Sequence, residues 1–271
     1  MSEPFTELTQ THLTLQKWQA IDPQLIVGFS TRRGGISNSY YHSLNLGLHV
    51  ADDPANVIEN RKILAEKLAI PLERWVSGSQ VHGSQIKVIS ENDCGQGATD
   101  FTTSIAGVDG LITEAKNVLC TAFFADCVPL YFFDPISKYI GIAHAGWRGT
   151  VLGIGQRMVD TFKSLGVQKE NLLVCIGPCI SQKNYEVDDS VIANIPKRLL
   201  PRVIKRLPNK KYLLDLKQLN SKILLQSGIL RHNIHITSYC TYQHDDLFFS
   251  HRRDAGKTGR MVGYIGYKIN H

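Results

Sequence analysis

The sequence lacks the features that mark membrane-spanning and secreted proteins. No apolar stretch among the 271 residues reaches the roughly 20 residues that a transmembrane helix needs. The opening residues, MSEPFTELTQ, contain no basic region followed by an apolar core, so we expect no signal peptide. We therefore expect a cytoplasmic protein without a membrane partner.

Paired cysteine motifs and internal repeats are also absent. None of the six cysteines lies in a Cys-x-x-Cys pair, and four of them sit inside or beside apolar runs. Without a secretory signal, this usage indicates reduced thiols rather than a disulfide framework. The chain has no long linker, and its length suits a real hydrophobic core in one large domain or two small ones.

An excess of positive charge is confined to one segment. The formal net charge is +6, and Lys197 to Lys211 holds seven basic residues and no acidic one. The remainder of the chain is therefore close to neutral. The segment has no aromatic side chains to stack on bases, so we expect a solvated surface and no nucleic-acid binding. A nucleic-acid or membrane-surface patch is the alternative.

Strand-like and helix-like stretches alternate along the chain, which predicts an α+β (mixed α/β) fold in a single domain. A helix is predicted from Pro54, because Asp53 can cap it and proline suits the first helical position. The run VLCTAFFADCVPLYFFD predicts two buried strands that break at residues 125–127. Two further helices are predicted in TVLGIGQRMVDTFKSLG, which Gly166 ends, and in DLKQLNSKILLQSGI, which Asp215 caps.

Three short stretches place one thiol and two imidazoles on turns at the ends of apolar strands. They are SQVHG with His82, FADCVP with Cys127 and IAHAGWRGT with His144. One interpretation is a zinc site with three protein ligands and an open fourth position, the arrangement of catalytic zinc. Another is a nucleophilic pair in which Cys127 attacks and one histidine acts as the base. Because the three residues lie far apart in sequence, a buried cysteine with two unrelated histidines also fits the spacing.

Arginines beside glycines suggest an anion site. Arg148 lies at the start of a helix predicted to begin near Thr150, where unpaired N–H groups and a guanidinium can bind an anion. Arg32 and Arg33 precede two glycines in FSTRRGG, where the backbone can approach a ligand closely. The basic run FFSHRRDAGKTGR could close over an anionic ligand or form an exposed loop.

Several long motifs follow one another in the order that one family uses. They are FSTRRGGIS…SLNLGLHVADDPANVIENR, QVHG, DGLIT, TAFFADCVPL, AHAGWRGT, IGPCI…YEVD and CTY…LFFSHRRDAGKTGR. This set resembles the polyphenol oxidase/laccase-domain family, which contains the YfiH/YlmD-like bacterial proteins. The resemblance runs from about Leu25 to Ile265, nearly the whole chain.

The resemblance implies a fold and a metal site. The implied fold has two packed β-sheets flanked by helices, with an N-terminal segment at residues 1–24 and a single catalytic domain at residues 25–271. The implied metal ligands are His82, Cys127 and His144, which agrees with the three-ligand interpretation. The implied metal is zinc, and copper is also possible at a site of this composition.

The resemblance also implies an enzyme. Characterised members of the family are purine nucleoside phosphorylases that cleave adenosine, inosine, guanosine and methylthioadenosine with phosphate and that also deaminate adenosine. Deamination needs an activated water at C6 of adenine. Zinc deaminases add a glutamate in a His-x-Glu motif, which this sequence lacks, and Asp126 is the nearest candidate for that proton transfer. The residues implied to contact the nucleoside or phosphate are Arg32, Asn45, Gln80 and Arg148.

The family name suggests copper and phenol oxidation, and the histidine pattern argues against a true multicopper oxidase. Such enzymes need paired His-x-His motifs and a blue-copper Cys–His–Met set. This chain has ten histidines and no His-x-His. The alternative function is a Cys–His amidase or peptide hydrolase acting on cell-wall precursors, which related domains with a Cys–His pair imply. The sequence leaves the oligomeric state open.

Overall fold

The computed structural model describes residues 3–268, and fifteen β-strands lie within them. Strands β1 to β8 span Thr6–Thr9, His12–Thr14, Leu25–Ser30, Trp75–Ser77, Ile86–Val88, Gly110–Thr113, Leu119–Phe124 and Val128–Phe133. Strands β9 to β15 span Ile140–Ala145, Leu173–Ile176, Glu186–Val187, Ile204–Arg206, Tyr212–Leu214, Ile234–Ile236 and Met261–Tyr267. Helices α1 to α7 span Gln16–Ile21, Pro54–Leu68, Trp147–Val151, Ile154–Ser164, Asp189–Ile192, Leu200–Val203 and Leu216–Gln226.

These strands form two six-stranded sheets and one small three-stranded sheet. The first sheet has the order β1-β2-β3-β15-β7-β4, and the second has the order β14-β10-β8-β9-β6-β5. Most neighbours are antiparallel, whereas β4 runs parallel to β7, β5 to β6 and β14 to β10. The predicted mixed α/β fold is confirmed. The small sheet, with the order β11-β13-β12, was not predicted.

Alternate side chains of the central strands face two different cores. In β8, Tyr131 and Phe133 pack between the two large sheets, whereas Leu130 and Phe132 pack on the outer face with helices α4 and α7. Helix α2 covers the outer face of the first sheet. Because both faces of each sheet are covered, the central strands consist of continuous apolar runs in the sequence. The predicted pair of packed sheets flanked by helices is therefore confirmed.

Helix α2 begins as its sequence predicts. Asp53 is its N-cap, and a carboxylate oxygen accepts the N–H of Ala55 at 2.9 Å. Arg61, on the apolar side of the helix, is buried and donates to three backbone carbonyl oxygens of neighbouring loops. Its guanidinium also lies over the ring of Phe123, 4.5 Å from the centroid. These contacts explain how a charged side chain is accommodated on the buried side of the helix.

The prediction of one continuous helix in TVLGIGQRMVDTFKSLG is wrong. The segment forms two helices, α3 and α4, separated by Gly153, whose φ of +82° lies in the left-handed region. Helix α3 begins at Trp147, earlier than predicted near Thr150, and has only five residues. So short a helix carries little macrodipole. Anion binding at Arg148 would therefore depend on side chains and not on a helix start.

Strands β1 and β2 and helix α1 lie in the predicted N-terminal segment, and β2 pairs with β3 in the first sheet. The division at residue 24 stays a prediction, and the outermost residues of the two parts, 1–2 and 269–271, lie outside the described residues. The basic segment contributes helix α6 and β12, an edge strand of the small sheet. Lys205 and Arg206 are exposed on that edge, where charge discourages pairing with another chain.

Two further expectations concern the thiols and the membrane. All six cysteines are free, which agrees with the reduced thiols expected from the sequence. No helix in residues 3–268 combines the length and the apolar character that crossing a bilayer requires.

Candidate metal centre

Two of the three residues predicted as metal ligands lie where the chain passes between the two large sheets, and the third lies in a strand of the second sheet. Cys127 is in the turn from β7 of the first sheet to β8 of the second, and His82 is in the connection from β4 to β5. His144 is in β9, which pairs with β8 so that His144 lies opposite Pro129. The register of β8 and β9 therefore brings His144 beside Cys127, although the two are far apart in sequence.

The donor atoms of these residues form a compact group. One ligand atom from each of His82, Cys127 and His144 lies within 4.8 Å of the others. The two imidazole rings meet edge to face, with their centroids 4.8 Å apart. Two imidazole nitrogens and a thiolate are a donor set that zinc and copper accept. The group could thus hold a metal ion, and the identity of that ion stays a prediction.

Glycines in AHAGWRG leave the space in which this group assembles. A Cβ atom on Gly146 would lie 2.9 Å from Cδ2 of His82 and 3.0 Å from Sγ of Cys127. A Cβ atom on Gly149 would lie 2.7 Å from the carbonyl oxygen of Gly83, in the loop that carries His82. Any side chain at these positions would push the histidine loop away from the thiol.

Cys127 and His144 change each other's pKa. Burial opposes ionisation of Cys127, but the neighbouring His144 and His82 outweigh it and lower the pKa of the thiol to about 6. Burial also opposes protonation of His144, and Cys127 with Asp109 outweighs it and raises the pKa of the imidazole to about 9. Both shifts favour a pair of thiolate and imidazolium when no metal is bound, and the thiolate is the form that binds metal ions.

A pocket of about 370 Å³ opens over the three residues. Its wall adds three arginines and three aromatic side chains, which are Arg148, Arg252, Arg260, Phe123, Trp147 and Tyr185. Cationic and aromatic groups in one pocket suit a ligand that has both a negative charge and a flat ring.

Arg148 and Gln80, two of the predicted substrate contacts, line this pocket. The Arg148 guanidinium is exposed and lies over the ring of Trp147, 5.0 Å from its centroid, and it makes no hydrogen bond within residues 3–268. The Gln80 amide is already engaged, because it donates to the carbonyl oxygen of Phe123 at 2.9 Å and accepts the N–H of Phe123 at 2.7 Å. Arg148 is therefore free to bind a ligand, whereas Gln80 fixes the pocket wall.

Asn45 and Arg32, the other two predicted contacts, lie outside the pocket lining. Asn45 is fully buried, and its Oδ1 accepts the backbone N–H of Arg260 at 2.8 Å, so it acts on the pocket through that arginine. Arg32 lines a separate depression, where it donates to the carbonyl oxygens of His42 and Asp245. Phosphate binding by Arg32 stays a prediction to which this geometry gives no support.

Asp126 lines the pocket, but its carboxylate faces the loop FFSHRRDAGKTGR. One oxygen accepts from the hydroxyl of Thr241 at 2.6 Å, and the other accepts the backbone N–H of Arg252 at 2.7 Å. The φ of Asp126 is +92°, a conformation that a side chain rarely adopts and that neighbouring contacts must stabilise. Asp126 thus holds the loop against the pocket, and its proposed part in proton transfer stays a prediction.

Three residues near the site were not singled out from the sequence. Arg260 and His49 line the pocket, and Asp109 contacts His144 from behind it. Desolvation in the pocket, followed by the positive charges of Arg260 and Arg61, lowers the pKa of His49, although the residue is exposed at the surface. Each residue belongs to a motif quoted above, and its spacing alone gives no signal of a role.

Comparison with known proteins gives consistent matches over nearly the whole chain. The profile of the family described as multi-copper polyphenol oxidoreductase laccase matches residues 26–268. The chain is 40% identical over 273 residues to purine nucleoside phosphorylase YlmD of Bacillus subtilis, with 98% of both proteins covered. It is 45% identical over 247 residues to the protein of the same name in Geobacillus stearothermophilus, with 89% of both covered.

A solved structure agrees with these matches. The crystal structure of YlmD from Geobacillus stearothermophilus superposes with a TM-score of 0.94 at 41% identity and covers 99% of this chain and 100% of that chain. A fold likeness of this extent, together with the family profile, leaves one assignment. This chain belongs to the multi-copper polyphenol oxidoreductase laccase family.

Proposed function

We propose that this protein is a zinc-dependent purine nucleoside phosphorylase. Its substrates would be adenosine, inosine, guanosine and methylthioadenosine, each cleaved with phosphate to the free base and the 1-phosphate of the sugar. The observation that carries the proposal is one pocket that combines a His–Cys–His group with three arginines and three aromatic rings. The name of the relatives, purine nucleoside phosphorylase YlmD, supports the same class of enzyme.

The pocket side chains match what phosphorolysis requires. A phosphate oxygen forms a bond to C1′ of the ribose while the C1′–N9 bond breaks, and the purine takes up the electron pair and a proton. Arg148 and Arg260 would bind and orient the phosphate by charge-assisted hydrogen bonds. Tyr185 or Trp147 would stack on the purine and keep water away from it.

The residues present fit a zinc ion. Two imidazoles and one thiolate converge within 4.8 Å, and Gly146 leaves no side chain in the space between them. When bound, zinc would supply Lewis-acid chemistry by polarising a polar ligand atom at its open position. The chain itself holds His144 in place through the register with β8 and holds His82 through its loop.

Adenosine deamination belongs to the same proposal, and the residues give it less support. Zinc deaminases use a glutamate to move protons, in a motif that this chain lacks. Asp126, the nearest acid by sequence, already accepts hydrogen bonds on both oxygens. The deaminase activity therefore rests on the resemblance and on the metal site, without an assigned proton shuttle.

Product analysis of zinc-loaded protein with inosine and adenosine, with and without phosphate, tests the proposal. We expect hypoxanthine and adenine only when phosphate is present, and we expect this activity to vanish in Cys127→Ala. Cys94→Ala is the matched control, since Cys94 is also a partly exposed free thiol but does not line the pocket. Inosine formed from adenosine would reveal deamination. Absence of nucleoside turnover by metal-loaded protein would contradict the proposal.

The Cys–His hydrolase remains the second candidate because of one further contact. Nδ1 of His144 lies 2.9 Å from Oδ1 of Asp109, so Cys127, His144 and Asp109 follow one another as nucleophile, base and orienting acid do. This function predicts amide hydrolysis by metal-free protein that thiol alkylation abolishes. Activity that instead requires added zinc would exclude it.

A further inference from the structure

Asp109, the first residue of the motif DGLIT, is buried directly behind the metal site. It precedes strand β6, and its side chain has no exposed surface. A buried carboxylate is costly unless its oxygens are hydrogen-bonded. The hydrogen-bond partners of this carboxylate therefore indicate its role.

Its two oxygens contact the ring of His144 and three backbone N–H groups of the loop that carries His82. Oδ1 lies 2.9 Å from Nδ1 of His144 and accepts the N–H of His82 at 3.1 Å. Oδ2 accepts the N–H groups of Gly83 at 2.9 Å and Val81 at 3.1 Å. The backbone carbonyl of Asp109 also accepts the N–H of His144 at 2.8 Å. Asp109 thus makes five hydrogen bonds, of which two involve His144, one involves the backbone of His82 and two involve the residues on either side of His82.

The loop that carries His82 needs such an anchor. Gln80 and His82 both have left-handed backbone angles, with φ of +51° and +58°. This conformation is unfavourable for a residue with a side chain, so neighbouring contacts must hold it. Three consecutive N–H groups of the loop point at Asp109, and Gln80 is bound to the backbone of Phe123. Without the carboxylate, the N–H groups of Val81, His82 and Gly83 would lose this acceptor, and the loop would be held only at its start, where Gln80 N–H donates to the carbonyl oxygen of Val108 and Ser79 N–H to that of Ile105.

The same carboxylate selects the nitrogen that His144 offers to a metal. Three backbone N–H groups donate to its two oxygens, so both oxygens act as acceptors, which is the behaviour of an ionised carboxylate. Nδ1 of His144 then carries the proton that it shares with Asp109, and Nε2 is left for the metal. His144 thereby receives a fixed ring orientation and a fixed tautomer.

We propose that Asp109 is the positioning residue of the metal centre, because one carboxylate sets both the ring of His144 and the backbone of His82. Its presence therefore determines metal affinity, although it does not touch the metal. This inference rests on the metal centre of the proposed function.

The test compares Asp109→Asn with the matched variant Asp134→Asn. Asp134 is also a buried carboxylate that pins a loop, since it accepts the N–H groups of Ile136 and Ser137 at the far end of β8. Both substitutions keep the size of the side chain, and both should lower the thermal stability. Only Asp109→Asn should lower zinc affinity, by roughly 10- to 100-fold, measured by competition with a chromophoric chelator.

Replacing zinc with cobalt(II) provides a second measurement on the same proteins. We expect the visible spectrum of the cobalt protein to change in Asp109→Asn, because one histidine ligand is no longer held, and to be unchanged in Asp134→Asn. Zinc affinity in Asp109→Asn within twofold of the parent protein would overturn the role of Asp109 alone. Absence of zinc binding by the parent protein would overturn both this role and the metal centre of the proposed function.

If Asp109→Asn does not fold, hydrogen exchange in the parent protein tests the role of Asp109. The amides to follow are those of Val81, His82 and Gly83, which donate to its carboxylate. We expect these amides to be protected without metal and more strongly protected with zinc, because the loop and the metal support each other. Exchange at the rate of an exposed loop in the metal-free protein would overturn the role of Asp109.

Discussion

The arginines of the pocket differ in how much of their binding capacity is already used. Arg260 donates from Nη1 to two backbone carbonyl oxygens, and Arg252 donates to that of Glu186, so part of each guanidinium is committed to the fold. Arg148 is exposed and has no such partner among the described residues. A ligand anion can therefore engage its full guanidinium, while Arg252 and Arg260 contribute with their remaining N–H groups.

Arg148→Gln should weaken phosphate binding without changing stability. A hydrogen bond to a charged group contributes about 1.5–3 kcal/mol, which corresponds to a rise in KM for phosphate of roughly 10- to 100-fold. The midpoint of thermal unfolding should stay close to that of the parent protein, because the only contact of the exposed side chain among the described residues is the one with the ring of Trp147. Steady-state kinetics at varied phosphate measures the effect, and Arg157→Gln, an exposed arginine of helix α4, is the control. An unchanged KM would remove Arg148 from the phosphate site.

Gly146→Ala should disrupt the metal group through its volume alone. The φ of Gly146 is −64°, which any residue adopts, so the backbone does not require glycine. The added Cβ would lie 2.9 Å from Cδ2 of His82, closer than real Cβ contacts allow, and 3.0 Å from Sγ of Cys127, which is tighter than most. Overpacking of this kind costs about 1–3 kcal/mol, so zinc affinity should fall roughly 10- to 100-fold in a chelator competition.

The matched control for Gly146→Ala is Gly155→Ala. A Cβ on Gly155 in helix α4 would meet Leu130 at 3.5 Å, an ordinary contact. This variant should keep the zinc affinity of the parent protein. Equal affinities in both variants would show that the metal group tolerates a methyl at Gly146.

At the scale of elements, the site depends on where helices and strands stop. Strand β7 ends before Asp126, and the turn to β8 presents Cys127 to the pocket. Helix α3 ends after Val151, so Trp147 and Arg148 sit on a short helix that is separate from the packed helix α4. Gly153 makes that separation, because its φ of +82° ends the helical path.

Gly153→Ala should destabilise the protein by about 1–2 kcal/mol, the cost of a left-handed conformation in a residue with a side chain. No neighbour lies within 4 Å of the added Cβ, so backbone strain is the only cause. Equilibrium unfolding in urea measures the loss. Gly155→Ala should be neutral or stabilising in the same assay, because alanine favours a helix interior. A free energy of unfolding unchanged in Gly153→Ala would mean that α3 and α4 can join into one helix.

These elements also show what the sequence can and cannot predict. The cap at Asp53 and the strand break at residues 125–127 were predicted because local chemistry decides them. The division between α3 and α4 was missed because Gly153 lies within an uninterrupted helical pattern. The hydrogen bonds of the Gln80 side chain were also missed, because its partner, Phe123, lies 43 residues away and contacts it only in the folded protein.

At the scale of the whole molecule, the metal group forms because the chain passes from one large sheet to the other more than once. Cys127 and His82 lie on separate connections between the sheets, and His144 comes from a strand of the second sheet. The meeting of all three follows from sheet order and register, which no local pattern encodes. The resemblance to a family supplied that information, and the residue types alone left a zinc site and a Cys–His pair as alternatives.

The packing of the molecule divides its six thiols into two groups that alkylation can distinguish. Cys94 and Cys127 are partly exposed, and the other four are buried. Burial, only partly offset by Arg74, raises the pKa of Cys94, whereas the histidines lower the pKa of Cys127 to about 6. In metal-free native protein at pH 7, iodoacetamide should therefore modify Cys127 first and Cys94 more slowly, and the remaining thiols only after unfolding.

Zinc should protect Cys127 from iodoacetamide and leave the modification of Cys94 unchanged, because only Cys127 belongs to the metal group. Peptide mass spectrometry of samples taken over time measures both rates in one tube, so Cys94 serves as the internal control. Equal rates at Cys127 with and without zinc would mean that the thiol does not bind the metal. Combined with alkylation-sensitive amide hydrolysis by metal-free protein, that result would favour the Cys–His hydrolase over the phosphorylase, since the nucleophile would then be the free thiolate.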